Sequence, residues 1–161
     1  MRIPNEETIE LLRRAYPAGC RVVLDFMDDP AAPPVGTQGT VIGIDVQASV
    51  MVNWDNGSGL NVTEVDRIHK IRTEDEAVIT LNWYGVHQQS EDSYCPRCGD
   101  MMWGPTARHA LSRYAQIFIC DRCGIEESLE CAGIVAKRPL IEWCCMMIPS
   151  IDDVAKIRRL D

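Results

Sequence analysis

Cys95-Pro96-Arg97-Cys98-Gly99 is answered by Cys120-Asp121-Arg122-Cys123-Gly124, with the 21 residues from Gly99 to Ile119 between the two cysteine pairs. Two residues between cysteines let both sulfurs of a knuckle face one point. Four thiolates so placed can close a tetrahedral shell around one Zn²⁺. The glycine after each second cysteine permits the positive φ of a tight turn. A loop of about 15–20 residues between such pairs reads as a zinc site, and this loop is only slightly longer. The expectation is one structural zinc held by Cys95, Cys98, Cys120 and Cys123.

The surrounding composition agrees with a metal rather than disulfides. The chain has 161 residues and eight cysteines. Its start, Met1-Arg2-Ile3-Pro4-Asn5-Glu6-Glu7, turns acidic where a secretory h-region would be apolar. No apolar run approaches the roughly 20 residues of a membrane span. A reducing, cytoplasmic setting is therefore expected, without membrane association. Formal net charge is −8, and only residues 95–125 are locally basic, through Arg97, Arg108, Arg113 and Arg122. Long-range attraction of the whole chain to nucleic acid is not expected.

Working outward, the N-terminal part reads as a helix followed by short strands. Asn5 can cap a helix over 5–16, and Ile9, Leu12 and Tyr16 share its face. Strand-like runs follow at Cys20–Met27, Val41–Val46, Ser49–Trp54, Leu60–Val62 and Ile68–Ile71. The Asp28–Pro34 loop separates the first two, and Asp55-Asn56-Gly57 is a hairpin signal. A long first loop and tight later turns predict a small SH3-like antiparallel barrel. Trp54 has two readings: a partner-binding aromatic on the barrel surface, or a hairpin anchor in the core. His69 reads as a satisfied imidazole.

The stretches Gly19-Cys20-Arg21-Val22-Val23-Leu24, Met27-Asp28-Asp29-Pro30, Pro34 to Val41, Val52-Asn53-Trp54-Asp55-Asn56-Gly57-Ser58 and Val65-Asp66-Arg67-Ile68 resemble an uncharacterised family, domain of unknown function 4314. It is frequent in Gram-positive genomes, phages and conjugative elements. The resemblance covers about 65 residues. It implies an SH3-like fold and a bacterial or mobile-element host, and brings no activity with it.

Residues 72–94 are acidic. Thr73 and Glu76 have capping-box spacing, and a helix is expected from about Glu74 to Gln88, weakened by Gly85. Residues 88–93 read as a flexible linker. The zinc segment itself resembles ribbon-like zinc modules of small bacterial and mobile-element proteins. Its tail carries a helix signal beginning at Ser150. Cys20, Cys131, Cys144 and Cys145 read as small buried apolar residues.

The sum is a mainly β fold with α (α+β). Residues 1–71 form a barrel with a helix, 72–94 a helical connector and linker, and 95–161 a zinc ribbon with a helical tail. No catalytic residue is assigned. Four cysteines close the metal, and adjacent carboxylates such as Asp28-Asp29 diverge from one another. The expected function is a non-enzymatic module binding a protein or nucleic-acid partner through Trp54, Arg97, Arg108, Arg113 and Arg122. The alternative is a phage or mobile-element accessory or anti-defence protein, whose acidic surface blocks a host nucleic-acid-binding protein.

Overall fold

Asn5 starts helix α1 (Glu6–Ala15): its Oδ1 accepts from the Thr8 amide at 2.8 Å. Glu6 and Glu7 lie at the positive end of the helix dipole and Arg13 and Arg14 at the negative end. The computed structural model describes residues 4–147. These fall into two compact units that divide after Ile71. The fold is mixed α and β, with antiparallel sheets and four helices among the described residues.

In the first unit, α1 lays Ile9, Leu12 and Tyr16 on a core of Val22, Leu24, Val41, Val52 and Trp54. The sheet comprises β1 (Arg21–Phe26), β2 (Gln38–Ile44), β3 (Val50–Trp54) and β4 (Arg67–Lys70). Its order is β3-β2-β1-β4, antiparallel throughout, with Val41 opposite Val52 and Leu24 opposite Ile68.

The expected barrel is not closed. β3 and β4 are the two edges of an open sheet. The return after the Asn56-Gly57 turn makes only the Val50–Val62 bridge, with 2.8 Å bonds both ways. Asp66 explains why pairing stops there. Its carboxylate accepts from the amides of Thr63 and Asp28 and from the Thr63 hydroxyl, at 2.8–2.9 Å. The chain is thereby held in a turn where a further strand would have to run.

The second unit opens with α2 (Glu74–Val86), whose capping box joins Thr73 and Glu76. Thr73→Ala should lower stability by about 1 kcal/mol in a denaturant titration. The helix buries Ala77, Thr80, Leu81 and Tyr84. Then follow β5 (Glu91–Tyr94), β6 (Met101–Pro105), a 3₁₀ turn at Thr106–Arg108, β7 (Ala110–Leu111), β8 (Phe118–Ile119), α3 (Asp121–Cys131), a second 3₁₀ turn at Leu140–Glu142 and α4 (Cys144–Met147). β5 pairs with β6 and β7 with β8, both antiparallel.

Two readings of the connector change. Residues 91–94 are a paired strand rather than flexible linker, with Ser93 buried against Thr106 at 2.9 Å between hydroxyls. Gly85 is not a weakness in the helix but a point of close approach. A Cβ there would lie 1.9 Å from the Gln116 carbonyl oxygen. The approach is locked by side chains on either side. Asn82 Oδ1 accepts from the Gln116 amide at 2.7 Å, while the Gln88 amide both donates to and accepts from the Phe118 backbone at 2.8 and 2.9 Å.

Gly85→Ala separates two effects of opposite sign. Helix propensity alone would stabilise by about 1 kcal/mol. The clash is with backbone, which cannot swing aside, and overpacking of this kind costs about 1–3 kcal/mol. The expected result is net destabilisation in thermal unfolding; a raised melting temperature would contradict the packing. The expected C-terminal helix from Ser150 lies outside the described residues.

Candidate metal centre

The first knuckle sits in the turn between β5 and β6, and the second at the start of α3. Gly99 has φ +80°, as expected of a knuckle turn, and donates its amide to the Cys95 carbonyl at 2.8 Å. Gly124 serves a different need. It lies in the first turn of α3, and a Cβ there would stand 2.6 Å from Ala110 Cβ, so glycine lets the helix approach β7.

This arrangement brings the four sulfurs within 4.8 Å of one another. Cys98 and Cys120 are 3.7 Å apart, and Cys95 and Cys123 are 3.9 Å apart. A tetrahedron with metal–sulfur bonds of about 2.3 Å has edges about 1.63 times that, or about 3.8 Å. The cluster can hold a metal ion. Backbone amides of Asp100, Cys120 and Cys123 point at the sulfurs of Cys98, Cys95 and Cys120, at 3.3–3.5 Å. Cys95 and Cys123 are buried, whereas Cys98 and Cys120 are half-buried. None of the eight cysteines forms a disulfide.

Four sulfurs this close compete for protons. Cys123 is pushed far above the ordinary thiol range, first by its hydrogen bonds with Cys95 and Cys98 and then by burial. Cys95 is raised to about 12: contact with Cys123 lowers it, but contact with Cys98 and burial outweigh that. Cys98 is drawn far down by its hydrogen bonds with Cys123 and Cys95. A divalent cation in the centre removes this competition, because all four sulfurs can then be thiolates.

Residues 5–71 match the family model described as Domain of unknown function (DUF4314). The DUF4314 match takes in the open sheet and α1, and ends before the four clustered cysteines. No curated protein matches the chain, and no solved structure does.

Within the DUF4314 segment, Trp54 is 3% exposed and its Nε1 donates to the Leu60 carbonyl at 2.9 Å. It anchors the hairpin from inside the core and presents no partner-binding face. Its neighbour Asp55 takes a two-pronged ion pair from the buried Arg21 guanidinium at 2.5 and 2.7 Å. His69 Nδ1 lies 2.8 Å from both carboxylate oxygens of Asp25.

The four arginines expected to contact a partner do not act alike. Arg97, expected to face a partner, is 2% exposed. Its guanidinium lies 2.8 Å from Glu130, 3.5 Å from Glu127 and 3.6 Å from Glu126, and 5.7 Å from the centre of the Trp143 ring. Glu127 is fully buried and also accepts from the Ser112 hydroxyl and the Arg113 amide. Arg122 is exposed but pairs with Asp100 at 2.7 Å, and contact with Cys98 and then Asp100 holds it firmly protonated. Arg113 donates to the Gly124 carbonyl at 3.1 Å. Arg108 is exposed in the 3₁₀ turn.

The other cysteines divide. Cys145 is buried, Cys20 and Cys144 are half-buried, and Cys131 is exposed, contrary to its reading as a buried residue. His109 lies outside the cluster, with Nε2 2.9 Å from the Trp103 carbonyl oxygen. No helix among the described residues is long and apolar enough to cross a membrane.

Proposed function

We propose that the second unit is a zinc-ribbon-like module carrying one structural Zn²⁺ on Cys95, Cys98, Cys120 and Cys123, and that the chain is a non-enzymatic interaction protein whose partner is a protein. The observation behind the metal reading is the sulfur geometry. Separations of 3.7 and 3.9 Å match the edge of a zinc tetrathiolate, and four protein ligands leave no position for a substrate or a catalytic water. The ion's part is to tie β5–β6 to α3. The protein's part is to hold the sulfurs, donate amides to them and bury two of the four.

The choice of a protein partner rests on charge. Nucleic-acid affinity comes mainly from cations facing phosphates. Here Arg97 is consumed by buried carboxylates and Arg122 by Asp100, in a chain of net charge −8. The same observation favours the second reading, in which an acidic phage or mobile-element protein occupies a basic host protein that otherwise binds nucleic acid.

Elemental analysis should find one zinc per chain in protein purified without chelator. At about 150 mM salt the chain should retain host protein and neither duplex nor single-stranded DNA. Absence of zinc sinks the metal reading. Salt-sensitive DNA binding overturns the choice of partner, and retention of neither class overturns both forms of the interaction reading.

A further inference from the structure

Trp103 lies on β6 with 71% of its surface exposed, while its neighbour Met102 is buried on the other face. Tryptophan is among the residues most enriched at binding hot spots, so a ring this exposed is available as an anchor where its surroundings favour one class of partner. Its backbone is held on both sides. The β5–β6 register shifts between Glu91 and Ser93, leaving Asp92 as a bulge at φ +51°. The Asp92 carboxylate accepts from the Gly104 amide at 2.7 Å, and the Trp103 carbonyl faces His109 Nε2 at 2.9 Å. The indole is thus displayed from a fixed frame, which keeps the entropic cost of using it low.

The surroundings state what kind of partner fits. Glu91 and Asp92 are exposed on the strand opposite, with Glu91 in register with Pro105. Asp121 is exposed 4.0 Å from His109 Nδ1. Against these stand two exposed cations, Arg108 and Arg122, and Arg122 is paired with Asp100 at 2.7 Å, so carboxylates outnumber cations among these residues. The chain as a whole carries net −8. An indole face beside carboxylates attracts a guanidinium or ammonium group: the ring quadrupole and the carboxylates act in the same direction, and tryptophan is the strongest aromatic partner for a cation. A nucleobase could stack on the same ring, but its phosphates would meet these carboxylates.

We infer that Trp103, with Glu91 and Asp92, docks an arginine- or lysine-rich segment of a partner protein. This rests on the reading of the chain as a protein-binding module, and it assigns that reading a site.

A nona-arginine peptide and a single-stranded dT oligomer, titrated into the full zinc-loaded chain at 150 mM salt, test it by tryptophan fluorescence and calorimetry. The peptide should bind and perturb the emission, because Trp103 is the most exposed of the four tryptophans, Trp54 and Trp143 being buried and Trp83 half-buried, and the change should be absent in Trp103→Ala. Trp103→Ala should weaken peptide binding about tenfold and Trp103→Phe less. Glu91→Gln should weaken it and steepen no salt dependence. Ile134→Ala, an exposed change outside this hairpin, should leave it unaltered. Zinc content and melting temperature of Trp103→Ala should match the parent, since the side chain is not part of the core.

If Trp103→Ala binds the peptide as well as the parent, the net charge alone holds it and the site is wrong, while the protein-binding reading stands. If the oligomer binds through Trp103 and the peptide does not, both are overturned.

Discussion

Cys95→Ser is expected to leave the second unit unfolded while the open sheet of the first unit remains. Cys95 is fully buried and shares its sulfur with both other knuckle contacts, Cys123 at 3.9 Å and the Cys120 amide at 3.3 Å. The strands of this unit are two to five residues long, too short to persist on pairing alone. Apparent zinc binding contributes on the order of 10 kcal/mol to modules of this size, comparable to the whole stability of a small domain. The loss should be visible as disappearance of one thermal transition, with the sheet signals of residues 21–70 retained in an amide NMR spectrum. A strong chelator should reproduce it in the parent protein. The sign with pH follows from the ligands: binding releases protons, so metal and structure are both lost as pH falls. Stability indifferent to the chelator would remove the metal from its proposed role.

Arg97→Ala should be the most damaging substitution away from the sulfurs, at about 3–5 kcal/mol, because it strands buried carboxylates rather than merely deleting a contact. Glu127 has no access to water and Glu130 little. Burial alone would raise Glu130, but the hydrogen bond from Arg97, the Arg138 amide and the Arg97 charge together bring it below its ordinary value of 4.5. A carboxyl depressed in the folded state contributes stability that is present above its unfolded value and lost as pH falls through its folded one. The parent should therefore lose stability on acidification below about pH 4.5. Arg97→Ala should show less of that loss, being already destabilised at neutral pH. Urea titrations of both proteins between pH 3 and 7 measure this. Equal acid sensitivity in the two would contradict the ion-pair account. Arg97→Met, which keeps the stem over Trp143, separates lost packing from lost charge.

The cysteine cluster was legible because its signal is local: a fixed spacing in both knuckles and, in the first, a turn glycine at Gly99. Arg97 was misplaced because its partners are 29–33 residues away in sequence. A signal for it did exist. Cys123, Glu127 and Glu130 recur at helical spacing on one face of α3, and Cys123 must face inward to meet the other sulfurs. Two carboxylates on that same face require a buried cation. Gly85 was open to the same kind of misjudgement, since composition shows a helix breaker and only the fold shows the carbonyl oxygen beneath it. The strands of the first unit were readable from their strand-like apolar runs and the Gly and Pro turns between them. Closure was not, because whether the outer strands meet depends on the turn that Asp66 holds together.

Gln88 carries a consequence for how the chain behaves at high concentration. Its side-chain amide gives the Phe118 backbone both the donor and the acceptor that a neighbouring strand would supply. β8 is thus capped by a side chain in the place where another chain could add itself to the ladder. Unpaired strand edges are the usual templates for aggregation. One glutamine, projecting from just beyond a helix, insulates this short edge without adding a residue to the sheet.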